Sequence, residues 1–219
     1  MTLTAEGLSL RARLLAIVVV GMALGYFEAA VVVYLRELVY PSGFSFPLVV
    51  IPVKLLIIEV CREVASLVLI VAIAALAARR FRDRLGYLLV LFGSWDILYY
   101  VWLKVTIGWP GSLVEWDVLF LIPLPWIAPV IAPLLIAGLM VVIGVAILIA
   151  SARQHKFGKP RLTTVLTLLG TAPILYSFMY DTAATLNQQM PQDYRYGLLA
   201  AGLILYLAAF RAAYGRSPS

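Results

Sequence analysis

Charged residues are scarce in this chain of 219 residues: they make up 13% of it, whereas hydrophobic residues make up 63%. A soluble domain carries about 25% charged residues, so the chain has too few to cover a water-exposed surface. A soluble protein is therefore excluded, and an integral membrane protein is predicted. The length leaves room for a single transmembrane domain, residues 1–219, and for no sizeable soluble domain.

Cysteine and histidine are rarer still, because Cys61 and His155 are the only ones in the chain. A single cysteine excludes an internal disulfide and a multi-cysteine metal site. A single histidine argues against a histidine-rich metal site and against bis-histidine haem ligation within one chain. No cofactor can be identified from the sequence.

Six apolar stretches are long enough to cross a hydrocarbon core of about 30 Å at about 1.5 Å per residue. The first follows Arg11 and Arg13 and continues past Val33, which is too long for a cleavable signal peptide. We therefore predict an all-α, polytopic bundle of six transmembrane helices. The predicted spans are 14–40, 53–78, 85–107, 127–150, 162–184 and 196–214.

Basic residues are distributed unequally between the two ends of these spans. Twelve lie before span 1, after spans 2 and 4, or at the end of span 6, and four lie at the opposite ends. Because the cytoplasmic side carries the excess of Lys and Arg, both termini are predicted to be cytoplasmic, in a multi-pass protein of the cell inner membrane. The net charge of +6 thus reflects topology, and no nucleic-acid partner is expected.

The connection between spans 3 and 4 contains a helix-start pattern. Ser112 and Glu115 have capping-box spacing, and Pro123 would end a helix that begins there. A helix over residues 113–122 would be about 15 Å long, too short to span. We therefore predict an interfacial or re-entrant helix on the outer side.

Ionisable side chains within the spans are the most informative feature of the sequence. Each charge at the membrane centre costs about 2.5–3.5 kcal/mol, so such residues are expected to be paired or functional. By helical spacing and depth they are predicted to share one polar site in the middle or outer half of the membrane. The predicted site residues are Glu28, Glu59, Arg62, Glu63, Asp96, Tyr99, Tyr100, Lys104 and Asp181 in the spans, with Asp117 on the short helix.

Arg62 is the only strongly basic residue deep within a span, and it can neutralise only one carboxylate. Glu59 lies one helical turn before it, and Glu28 or Asp96 is predicted to join from a neighbouring helix. The remaining acids would then need protons or another cation. If a metal ion binds, its predicted ligands are Glu28, Glu59, Glu63 and Asp96.

The leading hypothesis is that this site binds or translocates a small polar or cationic species. Two alternatives stay open: an enzyme acting on a lipid-borne substrate at the outer leaflet, or an accessory subunit of a larger membrane complex. The expected partners are the lipid bilayer and either other membrane subunits or further copies of the chain. The six-helix outline is similar to that of the substrate-binding components of bacterial vitamin transporters, a resemblance that rests on no residue motif.

Overall fold

The computed structural model describes residues 9–155 and 157–215, which are mainly helical. Five helical segments are long and apolar enough to cross a membrane: Leu10–Val39, Phe81–Ile107, Ile131–Ala152, Pro160–Leu186 and Tyr196–Tyr214. This composition is that of an integral membrane protein. The elements are α1 (Leu10–Val39), α2 (Val53–Ala77), α3 (Phe81–Ile107), β1 (Trp116–Phe120), β2 (Trp126–Pro129), α4 (Ile131–Ala152), α5 (Pro160–Met179), α6 (Thr182–Leu186) and α7 (Tyr196–Tyr214).

The predicted second span forms a helix with nearly the predicted bounds, but α2 is not one of the five apolar segments. Its first eleven residues contain four charged side chains, at positions 54, 59, 62 and 63. A bundle of six apolar spans is therefore not confirmed. The structure establishes five candidate spans and one further long helix, α2, of 25 residues.

The predicted short helix over residues 113–122 is wrong, because this segment forms part of an antiparallel β-hairpin. Trp116 pairs with Pro129, and Phe120 pairs with Trp126. The capping contact does form, since the Ser112 backbone N–H donates to Glu115 Oε1 at 3.0 Å, but it closes only one turn. The residues that follow are rich in aromatic and β-branched types, which favour a strand.

The hairpin also moves the start of the fourth span. The predicted span 127–150 begins instead at Ile131, because residues 126–129 pair with β1. The predicted fifth span, 162–184, is interrupted near its end, because α5 ends at Met179 and α6 begins at Thr182. The two helices together form the apolar segment Pro160–Leu186. The sixth has the predicted bounds, 196–214.

The described chain divides into two compact units. The first contains the chain up to Phe44 together with residues 51–115 and 133–154. Here α3 is the central helix: α1 and α2 both pack on it, and α4 approaches it closely where Gly86 faces Gly144. A Cβ at Gly25 of α1 would lie 2.9 Å from the Trp95 carbonyl oxygen of α3. Glycine is therefore required for this helix contact.

The second unit contains residues 45–50 and 116–132 and the chain from His155 onward. Its main contact is between α5 and α7, where Gly170 and Gly202 let the two backbones approach closely. β2 packs on α5, and the Thr182 hydroxyl of α6 donates to the carbonyl oxygen of Pro125 at 2.9 Å. The hairpin and the α5–α6 segment are thereby joined.

Candidate functional site

A charged cluster joins α1 and α2 in the first unit. The Arg62 guanidinium binds Glu59 through two hydrogen bonds, Nε to Oε2 at 3.0 Å and Nη2 to Oε1 at 2.5 Å. Its third nitrogen, Nη1, forms an ion pair with Glu28 on α1. Ser66 Oγ donates to the same Glu28 oxygen at 3.4 Å. We call Glu28, Glu59, Arg62 and Ser66 the α1–α2 charge cluster.

Helix geometry explains how α2 presents these groups. Its buried residues are Glu59, Glu63, Ile70 and Ala74, whose spacings of four, seven and four residues place them along one stripe of the helix. The first half of this stripe is acidic and the second half is apolar. Arg62 and Ser66 lie next to the acidic half, so their side chains can reach Glu28 on α1.

The prediction that Glu28 or Asp96 joins Glu59 around Arg62 is confirmed, with Glu28 as the partner. One guanidinium is thus shared between two carboxylates. If all three groups are charged, the cluster carries a net charge of −1, and the buried Glu63 carboxyl lies on the next residue of α2. The Ser66 hydroxyl and the carboxylate oxygens of Glu28 and Glu59 are groups that can bind protons, hard cations and amines.

The predicted α3 residues take different positions. Tyr100 is buried, and its ring lies 4.9 Å from that of Tyr99. Asp96 is half-buried on the same helix. Lys104, which was predicted to belong to the polar site, is committed elsewhere: its Nζ donates to the carbonyl oxygens of Gly108 and Pro110, at 3.0 and 2.8 Å. It closes the C-terminal end of α3 and positions the loop that follows.

Two further predicted site residues, Asp117 and Asp181, belong to the second unit. Asp117 is buried on β1. Asp181 is also buried, and its carboxylate accepts a hydrogen bond of 2.7 Å from the Gln192 backbone N–H. This contact anchors the loop before α7, which gives Asp181 a structural role that the helical pattern did not indicate.

Tyr194, in that same loop, is held by a buried hydrogen bond. Its hydroxyl lies 2.9 Å from Ser177 Oγ on α5, and Ser177 Oγ itself donates to the Ile174 carbonyl oxygen at 2.7 Å. Because the serine hydrogen is used in this way, Tyr194 donates to Ser177. Burial raises the pKa of Tyr194 to about 12.

The four carboxylates proposed as metal ligands do not assemble into a metal site. Among residues 9–155 and 157–215, no three His, Cys, Asp or Glu side chains form a group that could hold a metal ion. Glu28 and Glu59 are instead directed at the Arg62 guanidinium. The acidic chemistry of the cluster is therefore that of an ion-pair network.

Arg36 is a buried residue whose environment the sequence interpretation missed, since it counted this residue only as a topology signal. In the last turn of α1 its guanidinium carbon lies 4.0 Å from the centroid of the Phe44 ring and 3.9 Å from that of Trp109. Trp109 also packs against Tyr100, with 6.2 Å between the ring centroids. We call Arg36, Phe44 and Trp109 the aromatic clamp. The recurring aromatic residues after Arg36, at positions 40 and 44, were the available signal.

No family model, curated protein or solved structure matches this chain. The function is therefore inferred from the chain's own geometry. That geometry consists of five helical segments suited to a membrane, with a shared-arginine cluster between one of them, α1, and the further helix α2.

Proposed function

We propose that this protein binds or translocates a small cationic species at the α1–α2 charge cluster. The observation that carries the proposal is the sharing of Arg62 between Glu28 and Glu59. The cluster holds two carboxylates and one guanidinium, so it has one carboxylate more than its arginine can neutralise. An ionised side chain inside a membrane costs free energy, so such an excess is expected to have a function.

We further propose that α2 is a sixth membrane span. Its acids do not argue against this, because Glu59 and Glu63 are buried inside the first unit rather than exposed on the helix surface. Arg62 is engaged by two carboxylates, which reduces the penalty for placing it at membrane depth. With twelve basic residues at one set of helix ends and four at the other, both termini would be cytoplasmic and the cluster would lie in the outer half of the membrane.

Reporter fusions test this topology. A reporter inserted at Gly158 and one fused to the C-terminus should both read as cytoplasmic, and a reporter inserted at Gly43 should read as external. An external signal at Gly158 would overturn the orientation. A cytoplasmic signal at Gly43 would remove α1 as a spanning helix.

In the proposed function an incoming cation competes with Arg62 for the carboxylate oxygens. Glu28 is the better exchange point, since it is joined to Arg62 through one nitrogen, whereas Glu59 is bound through two. Ser66 offers the cation a hydroxyl oxygen at the same position. The suited ligands are therefore a proton, a hard monovalent cation or a protonated amine.

Uptake into liposomes tests the transport form of this proposal. Purified protein is reconstituted, and entry of protons, radioactive sodium and radioactive methylammonium is compared with that of protein-free liposomes. At least one of these probes should enter faster with protein, and Glu28→Gln should abolish the difference. Glu37→Gln is the matched control, because Glu37 is an exposed carboxylate on the same helix.

Binding without transport is tested on the same purified protein, kept in detergent. A cation that binds the folded protein raises its melting temperature, and Glu28→Gln should remove this rise while Glu37→Gln retains it. If none of the three probes is taken up or raises the melting temperature, cation binding is excluded. The cluster then acts as an interhelical clamp, as expected for a structural subunit of a larger complex.

A further inference from the structure

The short connection between α2 and α3 is strongly basic. Within residues 79–84, which we call the arginine turn, Arg79, Arg80, Arg82 and Arg84 are accompanied by a single acid, Asp83. All four arginines are exposed. Arg84 has a local task, since its Nε donates to the Ala78 carbonyl oxygen at 2.9 Å and closes the end of α2. Four arginines and one aspartate give the arginine turn a net charge of +3.

Large apolar side chains project next to these arginines. Leu76 is 85% exposed and Phe81 is 78% exposed, the two highest values among the exposed large hydrophobic residues of the described chain. Phe81 is the first residue of α3, and Leu76 lies in the last turn of α2. In water, these apolar side chains would lose favourable burial. Guanidinium and apolar groups side by side are typical of a segment at the boundary between lipid headgroups and acyl chains.

We propose that the arginine turn binds the headgroups of anionic phospholipids, with Phe81 and Leu76 in contact with the acyl chains. Guanidinium groups match phosphate oxygens through paired hydrogen bonds, which suits a phosphodiester headgroup. Charge complementarity favours an anionic lipid over a zwitterionic one. A soluble phosphate compound or a nucleic acid would bind the exposed arginines but would leave Phe81 and Leu76 in water.

The test uses the detergent-purified full chain, with its melting temperature measured while phosphatidylglycerol or phosphatidylcholine is added. A lipid that binds the folded state raises the melting temperature. Phosphatidylglycerol should stabilise the wild type more than phosphatidylcholine does. The combined variant Arg79→Gln, Arg80→Gln and Arg82→Gln should lose this preference. Apparent affinity should fall about fivefold for each arginine removed.

The second basic connection provides a matched control. The combined variant Arg153→Gln, Lys159→Gln and Arg161→Gln also removes three exposed charges and should keep the preference for phosphatidylglycerol. Equal losses in the two triple variants would overturn the proposal in favour of non-specific attraction by net charge. Absence of any preference in the wild type would also overturn it. If the triple variant in the turn does not fold, Arg80→Gln alone carries the test, with a loss of about fivefold.

Two further measurements separate a lipid from a soluble anion. Glycerophosphate, which has the phosphate without acyl chains, should not raise the melting temperature at concentrations where phosphatidylglycerol does. Phe81→Ser leaves every arginine in place and should weaken phosphatidylglycerol binding. Stabilisation by glycerophosphate equal to that by the lipid, or unchanged lipid binding by Phe81→Ser, would overturn the apolar part of the proposal and leave a plain phosphate site.

Discussion

Arg62 on α2 and Glu28 on α1 form an ion pair between two helices that both pack on α3. The Arg62 side chain is 18% exposed and that of Glu28 is 13% exposed, so water screens the pair only weakly. A guanidinium buried to this extent stays protonated and requires anionic partners. The ion pair therefore links the stability of the first unit to the chemistry of the cluster.

Removing the arginine should destabilise the protein. Arg62→Ala leaves Glu28 and Glu59 without their shared cation, and we expect a loss of about 3 kcal/mol in the free energy of unfolding. Adding Glu28→Gln to this variant should recover part of the loss, because it removes an orphaned charge. Thermal unfolding in detergent measures both effects, with Lys54→Ala, an exposed residue of the same helix, as control. A melting temperature of Arg62→Ala equal to that of the wild type would contradict the buried ion pair.

The contact between α1 and α3 should not tolerate a side chain at Gly25. A Cβ there would lie 2.9 Å from the Trp95 carbonyl oxygen and 3.0 Å from the Tyr99 backbone nitrogen, and neither backbone atom can move without displacing the helix. Gly25→Ala should therefore cost about 1–3 kcal/mol of stability. Gly138→Ala is the control, since the Cβ that it adds to α4 meets no atom within 4 Å beyond the helix's own nearby backbone. Equal melting temperatures for the two variants would argue against the close helix contact.

The aromatic clamp should control the mobility of two loops at once. Arg36→Gln removes the charge that lies between Phe44 and Trp109, a contact worth about 2 kcal/mol when it is shielded from water. Amide hydrogen exchange should then accelerate in residues 40–44 and 108–112 together. Glu37→Gln, at the neighbouring exposed position, should change neither segment. Acceleration in only one segment would show that the clamp does not couple them.

Tyr194 should make the protein sensitive to alkaline pH. Its pKa in the folded protein is raised from the ordinary value of 10 to about 12, so the folded state holds the phenolic proton more tightly than the unfolded state does. The stabilisation is fully present below pH 10 and is lost as the pH rises through 12. Spectrophotometric titration should show one tyrosine ionising near pH 12 that is missing from Tyr194→Phe. Identical titration curves for the two proteins would contradict the burial of this hydroxyl.

Several features could be predicted from the sequence because they depend on local composition and spacing. Long apolar runs identify membrane-suited helices wherever they occur, and the bounds of α7 were predicted correctly at 196–214. The pair formed by Glu59 and Arg62 follows from positions one turn apart on a single helix. Gly21 and Gly25, four residues apart on α1, have a spacing that lets a second helix approach closely, and α3 makes this contact.

Other features depended on competition between local signals or on contacts distant in sequence. Ser112 and Glu115 satisfy a capping pattern equally well in a single turn, and the strand pairing of residues 116–120 with 126–129 decided against a helix. Lys104 has carbonyl partners that exist only once the loop after α3 is folded. The choice of Glu28 over Asp96 as partner of Arg62, and the placement of Arg36 between two rings, were decided by helix packing. Composition determined which segments avoid water, whereas tertiary structure determined which polar groups meet, because each polar group removed from water requires a partner that its own segment does not supply.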